Sequence, residues 1–172
     1  TDPTRHAETR LNVVTAIGRM QRPDAFEPLI NALTDSSVGV RFHAIDALMT
    51  LKDPRAIASL LPLLSDPAAS VCAQAIHALA TFQAPEAVAH VIALLSSSEK
   101  QVANMAALFL GQSKDQRALA PLLEALSVPD HPALWNVPTA LGELGDPAAF
   151  EPLLHYLMMS DDIYPRIRAI YG

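Results

Sequence analysis

Three side chains have types and spacing that could bind a metal ion. His43 and Asp46 lie on one face of a predicted helix, and His77 stands at the position of Asp46 in the next copy of a sequence repeat. Imidazole and carboxylate groups are common ligands of zinc and similar ions. However, no further acid or cysteine stands beside them to complete a ligand set. We therefore predict no metal site and interpret the three residues as polar positions on a solvated helix face.

Other reactive residue types also lack the patterns that catalysis requires. The one cysteine, Cys72, is predicted to be a small buried residue and not a nucleophile. The sequence contains no glycine-rich phosphate loop, no nucleophile elbow and no paired catalytic carboxylates. We therefore expect a protein that is not an enzyme and has no cofactor.

The strongest pattern in the chain is a 31-residue repeat. Similar phrases, DPRAIASLL, DQRALAPLL and DPAAFEPLL, begin at residues 53, 115 and 146. Large apolar residues recur within each repeat at i, i+3, i+4 and i+7, which is one face of an α-helix. Asp53 and Asp146 each precede a proline, which predicts an N-cap followed by the first helical residue. One column holds alanine in every repeat: Ala25, Ala56, Ala87, Ala118 and Ala149.

A second helical pattern follows the first after a short polar turn, and we name the two helices of each repeat helix A and helix B. In the first full repeat, Val40, Ala44 and Leu48 are predicted to be the buried side of helix B. A hairpin of two helices cannot bury its apolar face alone, so neighbouring hairpins must stack. Residues 7–20 fit the helix B template one repeat earlier, with buried positions predicted at Val13, Ala16, Ile17 and Met20.

Two segments, VRFHAIDAL at 40–48 and LGELGDPAA at 141–149, resemble the short HEAT-like repeats first named from phycobilin lyase subunits. The resemblance extends over the whole chain. It implies an all-α fold, a right-handed α-solenoid of about five HEAT-like hairpins. We predict a single domain over 1–172, a piece of a longer array, with a half repeat at 1–22, repeats at 23–52, 53–83, 84–114 and 115–145, and an incomplete repeat at 146–172.

Helix B also has an outward face, which in such solenoids lines a concave groove. Aromatic and methionine side chains on this face, with amides and histidines between them, suit a protein interface. We predict that it binds a protein or peptide. The alternative is that some of these side chains, above all Trp135, pack against adjacent repeats. The predicted binding residues are Leu11, Phe42, His43, Asp46, Gln74, His77, Met105, Leu108, Trp135 and Asn136.

Other functions of similar proteins fit this sequence less well. Deoxyhypusine hydroxylase has a similar architecture and binds iron through His-Glu dipeptides on helix B, and this sequence contains no such dipeptide. The formal net charge of −6 disfavours a nucleic-acid partner. Apolar runs are too short to span a bilayer, so we expect no membrane partner and a cytoplasmic location. A phycobilin-lyase-like or chaperone subunit acting on a chromophore protein remains the alternative to a non-catalytic scaffold or adaptor.

Two regions depart from the repeat. Pro132 and Pro138 both fall within the predicted helix B of the fourth repeat, which is therefore expected to start late or to bend. At the chain ends, the first helix B has no helix A before it, and the last helix B, at 164–172, is incomplete. We expect exposed apolar area on the outward face of residues 5–21 and on the helix A surface of 147–158, and self-association through these ends.

Overall fold

The protein is all-α over the residues that its computed structural model describes, 3–159, and no strand occurs among them. The chain divides into two compact units, Thr1–Phe82 and Gln83–Gly172, which we name the N-terminal and the C-terminal unit. The helices alternate in the order that the repeat predicts, which confirms the all-α solenoid of helical hairpins. The helix B expected at 164–172 lies outside the described residues.

The N-terminal unit contains one unpaired helix B followed by two hairpins. The α-helices are α1 (Pro3–Met20), α2 (Phe26–Ala32), α3 (Val38–Leu51), α4 (Ile57–Leu60) and α5 (Ala69–Thr81). Short 3-10 helices span Pro23–Ala25, Pro54–Ala56 and Leu61–Ser65. Helix α4 is short because Pro62 has no N–H to continue the hydrogen-bond ladder, so the chain tightens into a 3-10 helix there.

The C-terminal unit contains two hairpins and a further helix A. Its α-helices are α6 (Val88–Leu94), α7 (Lys100–Ser113), α8 (Leu119–Ser127), α9 (Val137–Leu144) and α10 (Phe150–Met159). Its 3-10 helices span Pro85–Ala87, Gln116–Ala118 and Pro147–Ala149. Helix A of each hairpin thus consists of a 3-10 turn and the α-helix that follows it.

Aspartates cap helix A as the sequence predicts. The Asp53 carboxylate accepts the backbone N–H of Arg55 at 3.0 Å, and Asp146 accepts that of Ala148 at 2.8 Å. Such caps satisfy an N–H group that has no partner within the helix. The invariant alanine two positions after the prolines is buried in all five repeats, where a larger side chain would separate the helices.

Successive B helices pack directly on one another, α1 on α3 and α3 on α5 in the N-terminal unit, and α7 on α9 in the C-terminal unit. The contacts are close because small residues meet there. A Cβ atom added to Gly18 would lie 2.6 Å from the Cβ of Ala47, and one added to Gly111 would lie 2.6 Å from the Cα of Ala140. These distances leave no room for a side chain, so the small residues set the spacing of the stack.

The prolines of the fourth repeat delay its helix B, as expected. Residues 128–136 form turns, and α9 begins at Val137. Pro138 then occupies the second position of the helix, where its missing N–H removes no helical hydrogen bond. The side chain of Asn104 on α7 donates to the carbonyl of Pro132 at 2.9 Å and so ties this turn segment to the preceding helix B.

The predicted buried face is correct for the later B helices and wrong for α1. Val40, Ala44 and Leu48 are buried. In α1, by contrast, Val13 is 49% exposed and Met20 64% exposed. In addition, Ala16 is exposed and Ile17 is half-buried, whereas Val14 and Gly18 are buried. The reason is that helix A of the same hairpin covers this face in later repeats, and no helix A precedes α1 in this sequence.

Helix α10 exposes apolar side chains, as predicted for 147–158. Phe150 is 64% exposed, Leu154 39% and Met158 75%. These residues confirm the expectation for 147–158. In α1 the exposed apolar side chains are Val13 and Met20, which belong to its predicted buried face and not to the outward face on which apolar area was expected. Self-association through these surfaces stays a prediction, which sedimentation of the 172-residue chain can test.

A residue in the left-handed conformation terminates each helix B at the same position of the repeat. The φ angles at Gln21, Lys52, Gln83 and Lys114 lie between 50° and 56°, and that at Gly145 is 73°. These five positions are equivalent in the repeat, and only the last of them holds glycine. A side chain with a Cβ costs about 1 kcal/mol in this conformation.

Replacing Lys52 by glycine should therefore stabilise the protein, by about 0.5–1 kcal/mol in urea unfolding, because the αL conformation then carries no Cβ penalty. The reverse change, Gly145→Ala, should destabilise by about 1 kcal/mol. Thr50→Gly is the matched control: Thr50 lies in the same helix in the right-handed conformation, and its replacement should destabilise the protein by about 0.5 kcal/mol. If Lys52→Gly destabilised the protein as much as Thr50→Gly does, the left-handed conformation at Lys52 would be contradicted.

Candidate protein-binding surface

The outward face of helix B in the N-terminal unit carries six of the predicted binding residues. Asp46 on α3 and His77 on α5 are exposed. Phe42 and His43 are half-buried, and their rings meet edge to face with centroids 5.6 Å apart. Leu11 on α1 is also half-buried, and its side chain lies beside the Cα of Gly39 on α3.

Hydroxyl groups beside the exposed positions of this face are bonded within their own helices. Thr50 and Thr81 each donate a hydroxyl hydrogen bond to the carbonyl four residues earlier in their own helices, that of Asp46 and that of His77, both at 3.0 Å. The Gln74 amide lies 3.8 Å from the sulfur of Met49 and so joins α5 to α3. The exposed positions of this face on α3 and α5, namely Asp46, Thr50, His77 and Thr81, are polar.

The corresponding face of the C-terminal unit is more apolar. Met105 and Leu108 are half-buried on α7, and Trp135 is 45% exposed in the turn segment that precedes α9. Asn136, in contrast, is only 8% exposed and does not lie on the open face. The helical pattern misplaces Asn136 because residues 128–136 are not helical. Its amide instead points to the backbone carbonyl of Asn104, at 3.4 Å.

The potential metal ligands do not cluster among residues 3–159, and the cysteine is buried. No cluster of three or more His, Cys, Asp or Glu side chains in that range is placed to hold a metal, so the structure does not bring His43, Asp46 and His77 together as ligands. Cys72 is buried, as predicted, and its thiol lies 3.2 Å from the carbonyl of Leu64. Burial, aided by the charge of Asp66, raises the pKa of the Cys72 thiol and keeps it protonated.

Two arginine–aspartate pairs connect consecutive repeats of the N-terminal unit. Arg41 of α3 donates to both carboxylate oxygens of Asp66, at 2.7 and 2.8 Å, and to the backbone carbonyl of Asp35 at 2.9 Å. Arg10 of α1 bonds Asp35 in the same bidentate manner, at 2.7 and 2.9 Å. Each pair joins helix B of one repeat to the turn between the helices of the next.

The Arg41–Asp66 pair is the more buried of the two, with side-chain exposures of 11% and 5%. Burial alone would raise the pKa of Asp66, but the hydrogen bonds from Arg41 and from the Ala68 N–H, with the charge of Arg41, hold it below its usual value. These pairs were not predicted from the sequence. Their signal is present, since the two arginines occupy equivalent positions of successive repeats, and so do the two aspartates.

Stacked two-helix repeats with an open outer face on helix B define the class of this protein, an α-solenoid. The family is shown by sequence: the pattern of HEAT repeats matches residues 3–80, 57–134 and 88–172, and the chain belongs to the HEAT repeat family. No curated protein matches the chain by sequence.

Solved structures of repeat proteins resemble the fold. The complex of CpcE and CpcF of phycocyanin lyase from Nostoc sp. PCC7120 matches with a TM-score of 0.69 and 21% identity, over 94% of this chain and 68% of that chain. A designed armadillo repeat protein matches with a TM-score of 0.52 and 18% identity, over 93% and 90% of the two chains. Human deoxyhypusine hydroxylase in complex with glycerol matches with a TM-score of 0.50 and 18% identity, over 94% and 77%. At these identities the similarity concerns the fold alone.

Among the described residues, 3–159, no helix has the length and apolar character needed to cross a membrane.

Removing the buried carboxylate of Asp66 should destabilise the protein. Asp66→Asn leaves the Arg41 charge without its partner and should lower the free energy of unfolding by about 3 kcal/mol at pH 7. Because the pKa of Asp66 is depressed by folding, its contribution is complete above the unfolded pKa of about 3.9 and is lost as the pH falls through the folded value. The difference between wild type and variant in urea unfolding should therefore shrink below about pH 4.

Asp53→Asn is the matched control, because Asp53 pairs with the well-exposed Arg55 and should contribute much less than Asp66. A difference between wild type and Asp66→Asn that stays constant down to pH 2 would show that the ion pair does not stabilise the fold.

Proposed function

We propose that this chain is a non-catalytic recognition module, a scaffold or adaptor that binds a partner protein or peptide on the open face of its B helices. The observation that carries the proposal is the set of apolar side chains left accessible on the C-terminal unit. Trp135 is 45% exposed in the turn segment before α9, and α7, which packs on α9, carries the half-buried Met105 and Leu108. Aromatic and methionine side chains of this kind are common in the central part of protein interfaces.

The N-terminal unit supports the same proposal with polar and aromatic groups in place of the apolar side chains of the C-terminal unit. Its open face offers the exposed carboxylate of Asp46, the imidazole of His77 and the edge-to-face pair of Phe42 and His43. These groups can add hydrogen bonds and orientation to an apolar contact. The absence of a catalytic pattern in the sequence favours recognition over chemistry.

A second candidate is a subunit that acts on a chromophore protein, as a lyase-like or chaperone component. The observation that favours it is the structural similarity to the CpcE–CpcF complex of phycocyanin lyase. Co-expression of the chain with a phycobiliprotein and a bilin source tests it directly. Covalent bilin absorbance that requires the chain would favour this candidate, and unchanged absorbance would leave recognition as the better account.

Partners are identified by affinity capture with the full chain, followed by mass spectrometry. The affinity of each partner for the chain is then measured with purified proteins. Trp135→Ala should weaken binding by about 2 kcal/mol, a factor of roughly 30, if the indole is a hot spot of the interface. The melting temperature should change little, because nearly half of the side chain already contacts solvent.

Glu27→Ala and Glu151→Ala are the controls, since both residues are exposed on helix A and lie away from the open face. They should bind like the wild type. A Trp135→Ala variant that melts many degrees lower but binds normally per folded molecule would identify Trp135 as a packing residue and contradict the proposed interface.

A further inference from the structure

A cleft of about 470 Å³ opens in the C-terminal unit between the carboxyl ends of α6 and α8 and the turn that follows α8. Its volume is in the range of about 300–1,000 Å³ that is typical of binding pockets. Apolar walls are provided by Ile92, Leu95 and Val128, and polar groups by Glu124 and His131. Val128 is 43% exposed there.

The cleft lies at a turn where the repeat has lost both members of the ion pair, as it already has one repeat earlier at Cys72 and Ser97. In the N-terminal unit, the Arg41 guanidinium occupies the space between two consecutive turns and binds Asp66 and the carbonyl of Asp35. Two repeats later, Ala103 stands in the column of Arg41, and Val128 in the column of Asp66. Both members of the ion pair are therefore replaced at the turn that forms one wall of the cleft. Val128 lines the cleft, whereas Ala103 is fully buried on α7 and does not line it.

Although the aspartate of the pair is replaced by Val128, the cleft still has a carboxylate in its lining, that of Glu124. Glu124 lies one helical turn before Val128, is exposed, and forms none of the ion pairs found within residues 3–159. Burial lowers the pKa of His131 and outweighs the opposing effect of the nearby Glu124 charge, and the Nδ1 atom of His131 accepts the N–H of Ala133 at 3.1 Å. Over residues 83–159 the unit has three lysines and arginines against eight acidic residues. This charge favours a basic partner.

We propose that this cleft is a docking site for an arginine side chain of a basic partner protein. The aliphatic part of that arginine lies along Ile92, Leu95 and Val128, and its guanidinium pairs with the Glu124 carboxylate. Arginine suits the site because it combines an apolar stem with a weakly hydrated planar cation. The proposal concerns different residues from the open face of helix B and does not rest on the function proposed above.

The first test introduces the arginine–aspartate pair into the chain itself. In Ala103→Arg/Val128→Asp, the new side chains should fill the cleft as Arg41 and Asp66 do in the N-terminal unit. The melting temperature of the double variant should exceed the sum of the two single-variant shifts by about 3 °C or more.

The second test uses a defined probe on the full chain, a fluorescein-labelled peptide with the sequence GLRLG, and the same peptide with citrulline in place of arginine. The arginine peptide should bind saturably, with a Kd of about 1 mM or tighter, and the citrulline peptide at least about tenfold more weakly. Glu124→Gln and the double variant should each reduce binding about tenfold. Glu151→Gln, an exposed acid outside the cleft, should leave binding unchanged.

Both results are required. An additive double variant would show that an arginine does not fit this position of the repeat and would overturn the proposal. Equal binding of the two peptides, no binding of either, or equal effects of the Glu124 and Glu151 variants would also overturn it.

Discussion

The close contact between consecutive B helices is the constraint on which the rest of this structure depends. A two-helix hairpin leaves one apolar face uncovered, and only the next hairpin can cover it. Gly18 against Ala47 and Gly111 against Ala140 allow the helices to approach so closely that no larger side chain fits. In the N-terminal unit, the Arg41–Asp66 pair adds a polar connection between repeats at the turn side of the same contact.

This constraint divides helix B into positions that the fold determines and positions that it leaves free. Gly18 and Gly111 must remain small where they meet Ala47 and Ala140, although Met49 stands at the same position of the repeat between them. The column of Asp46, His77 and Leu108 faces away from the stack and varies in character from repeat to repeat. Recognition in a repeat protein depends on such free positions, because they can change without loss of packing. The polar face of the N-terminal unit and the apolar face of the C-terminal unit are two outcomes of this freedom.

Sequence patterns were sufficient where local chemistry decides the structure. The aspartate caps of helix A, the buried alanine column and the late start of α9 at Val137 all follow from residues within one repeat. Prediction from the sequence failed where a neighbouring helix or turn determines whether a side chain is buried. Val13 is exposed because no helix A covers it, and Asn136 is buried because a turn replaces the first part of helix B. The arginine–aspartate pairs, and the cleft that opens where Val128 replaces an aspartate, appear only when two repeats are placed side by side.

Site-specific photo-cross-linking tests the recognition surface most directly. A benzophenone amino acid is placed on the open face of helix B, at Asp46 or His77, and on the exposed face of helix A, at Ala58 or Ala120. All four positions are exposed, so the label is compatible with folding at each. The account predicts that one partner is cross-linked from Asp46 and His77 and not from Ala58 or Ala120. Cross-linking of that partner from the helix A positions alone, or equally from both faces, would contradict it.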